Sequence, residues 1–326
     1  MTDQNSLPRK DIKLIAVDLD GTLLNSKHEL TPRTIKALKA AMAKGVKVIL
    51  ATGKTRRANE KFIEELGLQD TPSICVQGLV VHNGDGSIRY QQTLEPKVLR
   101  QVVTFAEERG FTILAYSGQR VLVRSHNRDC EEIEHYHEPR AEEVGSLQNL
   151  IDNTPINKLM AVKLGEAKRV KALRWQLDMQ INGAARLMQS ALADMLEILP
   201  PGASKGTALR HLLKDLNISA SQVIAFGDAE NDLEMIKLAG IGFAMGNADA
   251  ALKAAADQVV GSNDEDGVAE AIERFILGPE PKPEPAAPVS ETPISREEGA
   301  PVITTAPEAA ATTVTSTPQE TKADAE

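Results

Sequence analysis

The sequence predicts an α/β fold, with a doubly wound parallel sheet, an inserted α+β domain and a disordered C-terminal tail. Short apolar runs alternate with helical patterns at both ends of the chain, which is typical of a parallel sheet covered by helices on both faces. The middle of the chain departs from this alternation, because its strand-like runs follow one another at hairpin-like spacing. The predicted domains are a discontinuous core of residues 1–82 and 200–277 and an inserted domain of residues 83–199.

Each strand prediction rests on a continuous apolar run. In the core, such runs predict buried strands at residues 14–17, 46–50, 73–81, 223–226, 240–245 and 258–260. In the inserted domain, they predict strands at residues 112–115, 121–123, 159–162, 185–188 and 195–199. Val170, Leu173 and Leu177 recur at helical spacing, and the helix that they predict is expected to pack Trp175 at the edge of the core.

Composition excludes several classes of partner. The chain has 326 residues, a net charge of -9 and only 3% aromatic residues. A negatively charged protein is repelled by a phosphate backbone, and few aromatic side chains are available to stack on bases. No nucleic-acid partner is therefore expected. Cys75 and Cys130 form no disulfide framework, which is typical of a reducing compartment. The polar N-terminus and the absence of a long apolar run predict a cytoplasmic protein with no membrane partner.

Residues 278–326 differ in composition from the rest of the chain. They hold nine of the 17 prolines, mixed with Ala, Thr and Glu, and they contain no aromatic residue. Such a segment cannot bury enough apolar surface to offset its ordering entropy, so it is predicted to be disordered. A linker-like role is favoured, and binding of a protein partner by this tail is the alternative.

Four polar motifs lie at the ends of predicted core strands or at the start of a predicted helix. They are Asp18-Leu19-Asp20-Gly21-Thr22-Leu23, Ala51-Thr52-Gly53-Lys54, Pro201-Gly202-Ala203-Ser204-Lys205-Gly206 and Gly227-Asp228-Ala229-Glu230-Asn231-Asp232. Asp18 and Asp20 leave a strand end on the same side, so that they could share a hard cation. The acidic run that starts at Asp228 suits a divalent cation in the same way, although helix capping is the plain alternative.

The other two motifs suit an anion. Thr52 and Gly53 stand where a strand turns into a helix, and the free N–H groups there can hold a phosphate. Lys205 opens a helix, where the macrodipole disfavours a cation unless an anion is near. Taken alone, the Thr52-Gly53 motif could simply cap a helix, and Lys205 could be a solvated surface lysine. The order of all four along one sheet favours a single site.

The four motifs together resemble those of the haloacid dehalogenase-like phosphatases, and specifically the Cof-type group with a large C2 cap. Further matching segments are Ala239-Gly240-Ile241-Gly242 and Ala244-Met245-Gly246-Asn247-Ala248. The resemblance covers roughly residues 11–277. It implies that Asp18 is the nucleophile, which becomes an aspartyl phosphate, and that Asp20 is the general acid and base. It also identifies the residues 83–199 as the cap.

The resemblance implies the remaining site residues and the substrate class. Phosphate would be bound by Leu19, Thr52, Gly53, Lys205 and Asn231. Mg²⁺ would be bound by Asp18, the main-chain carbonyl of Asp20, and Asp228, with support from Asp232. The expected substrate is a small phosphorylated metabolite, such as a sugar phosphate, pyridoxal phosphate or a flavin-pathway phosphate. A phosphomutase on the same fold, or a non-catalytic phosphometabolite-binding or scaffold protein that uses its tail, are the alternatives.

The sequence departs from the family pattern at two places. Lys54 stands where the family usually has Arg, so a bidentate contact becomes a point charge. Gln77-Gly78-Leu79 stands where the family usually has Asn-Gly-Ala. Both departures concern substrate positioning. In the inserted domain, a cluster of polar residues could face a substrate, but a surface loop is favoured for it because metal-ligand spacing is absent. The cluster comprises His126, Arg128, His135, Tyr136 and His137.

Overall fold

The structure is a computed structural model that describes residues 11–135, 137–190 and 192–278, apart from the side chain of Glu132. Its strands are β1 (Leu14–Val17), β2 (Lys47–Leu50), β3 (Ser73–Cys75), β4 (Val80–His82), β5 (Ile88–Gln91), β6 (Thr112–Ser117), β7 (Arg120–Val123), β8 (Glu142–Glu143), β9 (Lys158–Val162), β10 (Arg186–Gln189), β11 (Met195–Leu199), β12 (Val223–Gly227), β13 (Ile241–Ala244) and β14 (Gln258–Val259). Its helices are α1 (Pro32–Ala43), α2 (Glu60–Leu66), α3 (Pro96–Glu107), α4 (Arg128–His135), α5 (Ala167–Ile181), α6 (Lys205–Asp215), α7 (Leu233–Leu238), α8 (Ala250–Ala255) and α9 (Gly267–Ile272). The predicted disordered tail lies outside the described residues, apart from Gly278.

A five-stranded parallel sheet joins the two ends of the described chain. Its strand order is β14-β13-β12-β1-β2, and every neighbouring pair is parallel. The order reverses between β1 and β12, where Leu14 pairs with Val223. In open α/β sheets, a reversal of this kind opens a crevice at the carboxyl ends of the strands, and ligands bind there. The predicted parallel sheet is confirmed, and its topology places a site after Val17 and Gly227.

Burial explains why these strands occupy the centre. All four residues of β1 and all five of β12 are buried, as expected of parallel strands covered on both faces. Helix α1 begins where the Thr31 side chain accepts a hydrogen bond from the Thr34 amide, with Pro32 at its first position. The helix buries Leu38 and Ala41 and packs beside α9, which continues into a π-helical turn at Glu273–Leu277.

The predicted strand at residues 73–81 is wrong as a single element. The run forms two antiparallel strands, β3 and β4, joined by a turn at Val76–Gly78. Val76, Gln77 and Gly78 all have positive φ angles, of 52°, 59° and 86°. The apolar run conceals this turn. Gly78 is the sequence signal of the turn, because glycine tolerates a positive φ and a Cβ at this position would lie 2.3 Å from the Ser204 carbonyl oxygen.

Strand β3 adds one bridge to the edge of the parallel sheet, and β5 adds a third strand to the small antiparallel sheet formed by β3 and β4. Ala51 and Ile74 form an isolated parallel bridge at the end of β2. Strand β5 then pairs antiparallel with β4, so the sheet β3-β4-β5 crosses the predicted domain boundary after residue 82. The bounds of the core and of the inserted domain stay a prediction.

The middle of the chain forms a six-stranded sheet in the order β10-β11-β9-β6-β7-β8. All its pairs are antiparallel except β7 with β8, which confirms the predicted antiparallel sheet. Alternation along the strands divides its side chains between two faces. Leu159 and Ala161 belong to the cluster that packs beneath α3 and α5, whereas Met160 and Val162 belong to a cluster on the other face. That other face is directed towards the core motifs.

Helix α5 confirms the predicted apolar face but not the placement of Trp175. Val170, Leu173 and Leu177 are buried. Trp175 is 68% exposed and Met179 is 70% exposed, so the expected packing of Trp175 at the edge of the core is wrong.

Within the described ranges, no helix combines the length and the apolar composition needed to cross a bilayer.

Candidate active site

Three carboxylates converge at the reversal point of the parallel sheet. Asp18 follows β1 directly, Asp228 follows β12 directly, and Asp232 ends the short 3₁₀ turn after Asp228. One oxygen from each lies within 4.8 Å of the others. Asp18 is only 6% exposed and Asp232 is fully buried. Direct pairing of β1 with β12 therefore joins two motifs that are far apart in the sequence.

Lys205 neutralises part of this cluster. Its Nζ donates to Asp18 Oδ1 at 2.6 Å and to Asp232 Oδ1 at 2.7 Å, entirely out of solvent. The Ser204 side chain caps helix α6 and sets Lys205 as its first residue. Burial by itself would lower the pKa of Lys205, but the two carboxylates outweigh burial and raise that pKa, so the ammonium stays charged.

The carboxylates keep a negative excess in spite of Lys205. Burial raises the pKa of Asp18 well above its usual range, against the attraction of Lys205 and with repulsion from Asp232 and Asp228. Burial, with repulsion from Asp232, also raises the pKa of Asp228 to about 6. Close like charges of this kind coexist only with a shared proton or a cation.

The donor set fits a hard divalent cation. Asp232 is fully engaged, since its Oδ2 accepts from the amides of Asp228 and Ala229 at 3.1 and 3.2 Å. Asp228 Oδ1 accepts from the Thr22 hydroxyl at 2.8 Å. Within the described part of the chain, Asp18 Oδ2 and Asp228 Oδ2 have no hydrogen-bond partner, so they remain open as oxygen ligands. Oxygen donors with excess negative charge are the preference of Mg²⁺.

Gly21 makes room for Asp228. It has a φ of 79°, and a Cβ built on it would lie 2.4 Å from Asp228 Oδ2. An L side chain would be strained in this backbone and would displace the carboxylate. Gly21 therefore allows the positive φ of the turn and also leaves space for the carboxylate of Asp228, a candidate metal ligand.

Asp20 occupies a more solvated position than Asp18. Its side chain is 35% exposed, and its Oδ1 lies 2.8 Å from Lys54 Nζ and 3.3 Å from His28 Nδ1. Lys54, a departure from the family pattern, therefore pairs with the predicted general acid. Asp20 therefore contacts both solvent and two basic side chains.

The predicted phosphate-binding residues differ in how they meet the cavity. Thr52, Gly53 and Asn231 line a cavity of about 440 Å³ together with Asp18, Asp20 and Asp228. Thr52 Oγ1 accepts from the Lys54 amide at 3.1 Å, which orders the turn. Leu19 is fully buried in the core and does not line this cavity. Lys205 is buried and does not line the cavity, but it contacts Asp18, which does.

The match to a known family agrees with this geometry. The model of the haloacid dehalogenase-like hydrolases matches residues 15–272, which is most of the chain. The chain belongs to this family. A solved haloacid dehalogenase-like hydrolase from Bacteroides thetaiotaomicron is 31% identical with a TM-score of 0.74, over 81% of this chain and 99% of that one. The predicted recognition and fold class are both confirmed.

Two curated relatives of the hydrolase illustrate how the match is distributed. A chloroplastic endoribonuclease, YBEY, of Arabidopsis thaliana is 36% identical over 273 residues, covering 81% of this chain but only 46% of that protein. The chain thus spans less than half of that relative. The phosphatase YwpJ of Bacillus subtilis is 29% identical over 81% of this chain and all of its own length.

Lys158, Glu197 and Gln77 line the cavity of this hydrolase, although none of them was predicted as a site residue from the sequence. Lys158 Nζ donates to Glu197 Oε1 at 2.7 Å and to the Gly53 carbonyl at 3.2 Å. Gln77 Nε2 donates to Glu197 Oε2 at 3.0 Å, and Gln77 Oε1 accepts from Asn231 Nδ2 at 3.0 Å. This buried network links the six-stranded sheet to the turn at Gly53. Its sequence signal is a charged residue at the start of the apolar strand β9 and another in the middle of the apolar strand β11.

The polar cluster around His135 does not line the cavity. Arg128 and His135 are exposed ends of helix α4, so the predicted loop is wrong for these two residues. His126 and His137 lie outside helices and strands as predicted, and the predicted surface position is confirmed for Arg128, His135 and His137. Tyr136 lies outside the described residues. The same segment instead contributes Ile133 and Glu138 to the cavity.

Glu138 ties this segment to the core. It accepts from the Thr55 amide at 3.2 Å and from the Thr55 hydroxyl at 2.7 Å. Burial raises the pKa of Glu138, against the attraction of Lys158 and the bonds from Thr55. The carboxylate therefore holds the turn after Lys54 against the segment that follows α4.

Proposed function

We propose that this hydrolase is a magnesium-dependent phosphatase that cleaves small phosphomonoesters through an aspartyl-phosphate intermediate. One observation carries the proposal: a buried aspartate, Asp18, is held by Lys205 on one oxygen, and its other oxygen is left open at a cavity. Two relatives support the reaction class by their names. They are the pyridoxal phosphate phosphatase YbhA of Escherichia coli, 29% identical, and the 5-amino-6-(5-phospho-D-ribitylamino)uracil phosphatase YitU of Bacillus subtilis, 27% identical.

In the first half-reaction, Asp18 Oδ2 attacks the phosphorus of the ester. The bond from phosphorus to the ester oxygen breaks, and the leaving alkoxide takes a proton from the Asp20 carboxyl group. Lys205 keeps Asp18 in one orientation, which favours attack along a fixed line. The half-reaction ends with an alcohol and an aspartyl phosphate.

The second half-reaction restores the enzyme. The Asp20 carboxylate accepts a proton from water as the water oxygen attacks the phosphorus. The bond between phosphorus and Asp18 breaks, inorganic phosphate leaves, and Asp20 is again protonated. Thr52, the Gly53 amide, the Leu19 backbone and Asn231 would bind the phosphate oxygens in both half-reactions.

Asp18, Asp228 and the main-chain carbonyl of Asp20 would hold the magnesium ion, with Asp232 orienting the loop around Asp228. When bound, the ion would supply charge neutralisation for the phosphate oxygens. We assign the core to residues 1–82 and 200–277 and the cap to residues 83–199, and we place the enzyme in the cytoplasm. The six-stranded sheet of the cap would cover the phosphate during turnover and exclude water.

The test is release of inorganic phosphate from a panel of phosphorylated metabolites, with magnesium or with a chelator. Turnover that depends on magnesium and is lost in Asp18→Asn would support the proposal. Interconversion of sugar phosphates without net release of phosphate would favour a phosphomutase. A folded protein that is inactive on every ester would overturn the assignment.

A further inference from the structure

The cavity-facing side of the six-stranded sheet is set by strand register. Met188 pairs with Glu197, and Glu197 pairs with Met160, so these three side chains form one row across β10, β11 and β9. On the neighbouring strand pair, Tyr116 lies opposite Lys158. Residues opposite one another in antiparallel strands share a face. All five line the cavity that holds the carboxylates.

The two charged residues on this side, Lys158 and Glu197, already have partners. Lys158 binds Glu197 and the Gly53 carbonyl, and the second oxygen of Glu197 binds Gln77. Lys158 also lies over the Tyr116 ring, 4.3 Å from its centroid. A substrate hydroxyl that bound either charge would have to compete with a buried ion pair, which is costly to break.

The two neighbouring polar side chains are engaged as well. Glu138 accepts its bonds from Thr55. Gln189 Nε2 donates to the carbonyls of Leu192 and Met195 at 2.9 and 2.8 Å, within its own hairpin. These groups shape the cavity and offer few free hydrogen bonds to a substrate.

Apart from the hydroxyl-bearing side chains of Tyr116 and Ser190, the rest of this side is an apolar wall. It is made of Ile133, Met160, Met188, Leu192 and Met195. Methionine side chains adapt to flat rings and make favourable sulfur–aromatic contacts. A polyhydroxylated chain placed there would lose hydrogen bonds to water without replacing them. Resting on the proposed phosphatase activity, we propose that the cavity selects phosphate esters whose leaving group carries a flat aromatic or heteroaromatic ring over esters of sugars and polyols.

The first experiment compares kcat/KM for phosphate release from four esters of primary alcohols. Benzyl phosphate and pyridoxal 5′-phosphate carry a ring, whereas glucose 6-phosphate and glycerol 3-phosphate carry hydroxyls. We expect both ring esters to exceed both hydroxylated esters by about tenfold or more, since apolar contacts discriminate to this extent. Release that is equal for all, or faster from the sugar and polyol, would overturn the inference and leave the phosphatase standing. Release from none would overturn the phosphatase itself.

The second experiment changes the wall. Met188→Gln should lower kcat/KM for benzyl phosphate by about tenfold and leave the value for glucose 6-phosphate nearly unchanged. Met188→Leu keeps an apolar surface and should retain the preference for rings, which separates a specificity effect from a fault in folding. Met179→Gln changes a methionine that is 70% exposed on α5 and should alter neither value. An equal loss on both esters in Met188→Gln, with a normal melting temperature, would contradict the assignment.

Discussion

Lys205 and Asp18 form a buried ion pair, with Nζ 2.6 Å from Oδ1, across a sequence separation of 187 residues. The pair uses one oxygen of the carboxylate and leaves the other towards the cavity. Lys205 also binds Asp232, so a single ammonium holds the ends of β1 and β12 together at the site.

Removing the predicted nucleophile should separate activity from folding. Asp18→Asn should reduce turnover by about 10³-fold or more, because amide nitrogen and oxygen cannot form the acyl phosphate. Its urea midpoint should be equal or higher, since the substitution removes a buried negative charge that Asp228 and Asp232 repel. Asp70→Asn, an exposed aspartate, is the control and should change neither quantity. Activity of Asp18→Asn within tenfold of the parent would exclude the aspartyl-phosphate route.

Removing the ammonium should cost stability. Lys205→Met leaves Asp18 and Asp232 buried without their cation, and the free energy of unfolding should fall by about 3–5 kcal/mol. Urea unfolding measures this change. The control is Lys237→Met, at an exposed position of α7, which should change the free energy of unfolding by less than about 0.5 kcal/mol. A loss below about 1 kcal/mol in Lys205→Met would show that the pair is not the stabilising contact described.

Two glycines with similar backbones allow a matched comparison. Gly21 has a φ of 79° and no room for a Cβ, because Asp228 Oδ2 would lie 2.4 Å away. Gly45 has a φ of 84° and no atom within 4 Å of a built Cβ. Both Gly→Ala variants should lose about 1 kcal/mol from backbone strain. Only Gly21→Ala should also lose phosphatase turnover and magnesium affinity, the latter measured by calorimetry; equal behaviour of the two would refute the close approach.

The Lys158–Glu197 pair calls for a double-mutant cycle. Lys158→Met alone leaves a buried carboxylate without its cation and should lower the free energy of unfolding by about 3–5 kcal/mol. Adding Glu197→Met should recover most of that loss, because two apolar side chains pack where the ion pair stood. Urea unfolding of the four proteins gives the coupling energy. Additive losses would mean that the two residues act independently.

His82 should make the fold sensitive to mild acid. Burial lowers the pKa of His82 below its usual 6.5, with Nδ1 3.0 Å from the Gly86 carbonyl oxygen. Below pH 6.5 the unfolded chain binds a proton that the folded chain refuses, so stability falls as pH falls from 6.5 through the folded pKa. The loss is at most about 1.4 kcal/mol per pH unit.

The matched variants for this effect are His82→Asn and His135→Asn. The asparagine at position 82 can still donate to Gly86, but it does not titrate, so the difference in urea midpoint between pH 7.5 and 5.5 should shrink. His135 is exposed, and its replacement should leave that difference as in the parent. An unchanged difference in His82→Asn would rule out His82 as the source of the acid sensitivity.

Several features of the fold could be predicted from residue pattern alone. Continuous apolar runs at β1, β2 and β12 predict buried parallel strands, because a strand covered on both faces has no polar side. Each polar motif stands next to such a run, so parallel pairing brings Asp18 and Asp228 to one edge. The wrong prediction of one strand at residues 73–81 has the same origin. An apolar run shows that a segment is buried but not whether the chain reverses direction within it, so the turn at Gln77 was concealed.

The sequence by itself determined the fold class, the carboxylates and Lys205, because these depend on local pattern at strand ends. Only the tertiary structure decided what lies opposite them. Lys158, Glu197 and Gln77 come from separate elements, and only strand register and a positive φ at Gln77 bring them into one network. Trp175 continues a helical pattern, yet it is exposed because none of the elements that the structure describes covers that side of α5. Contacts between distant segments depend on which faces meet, and that is a property of the assembled chain.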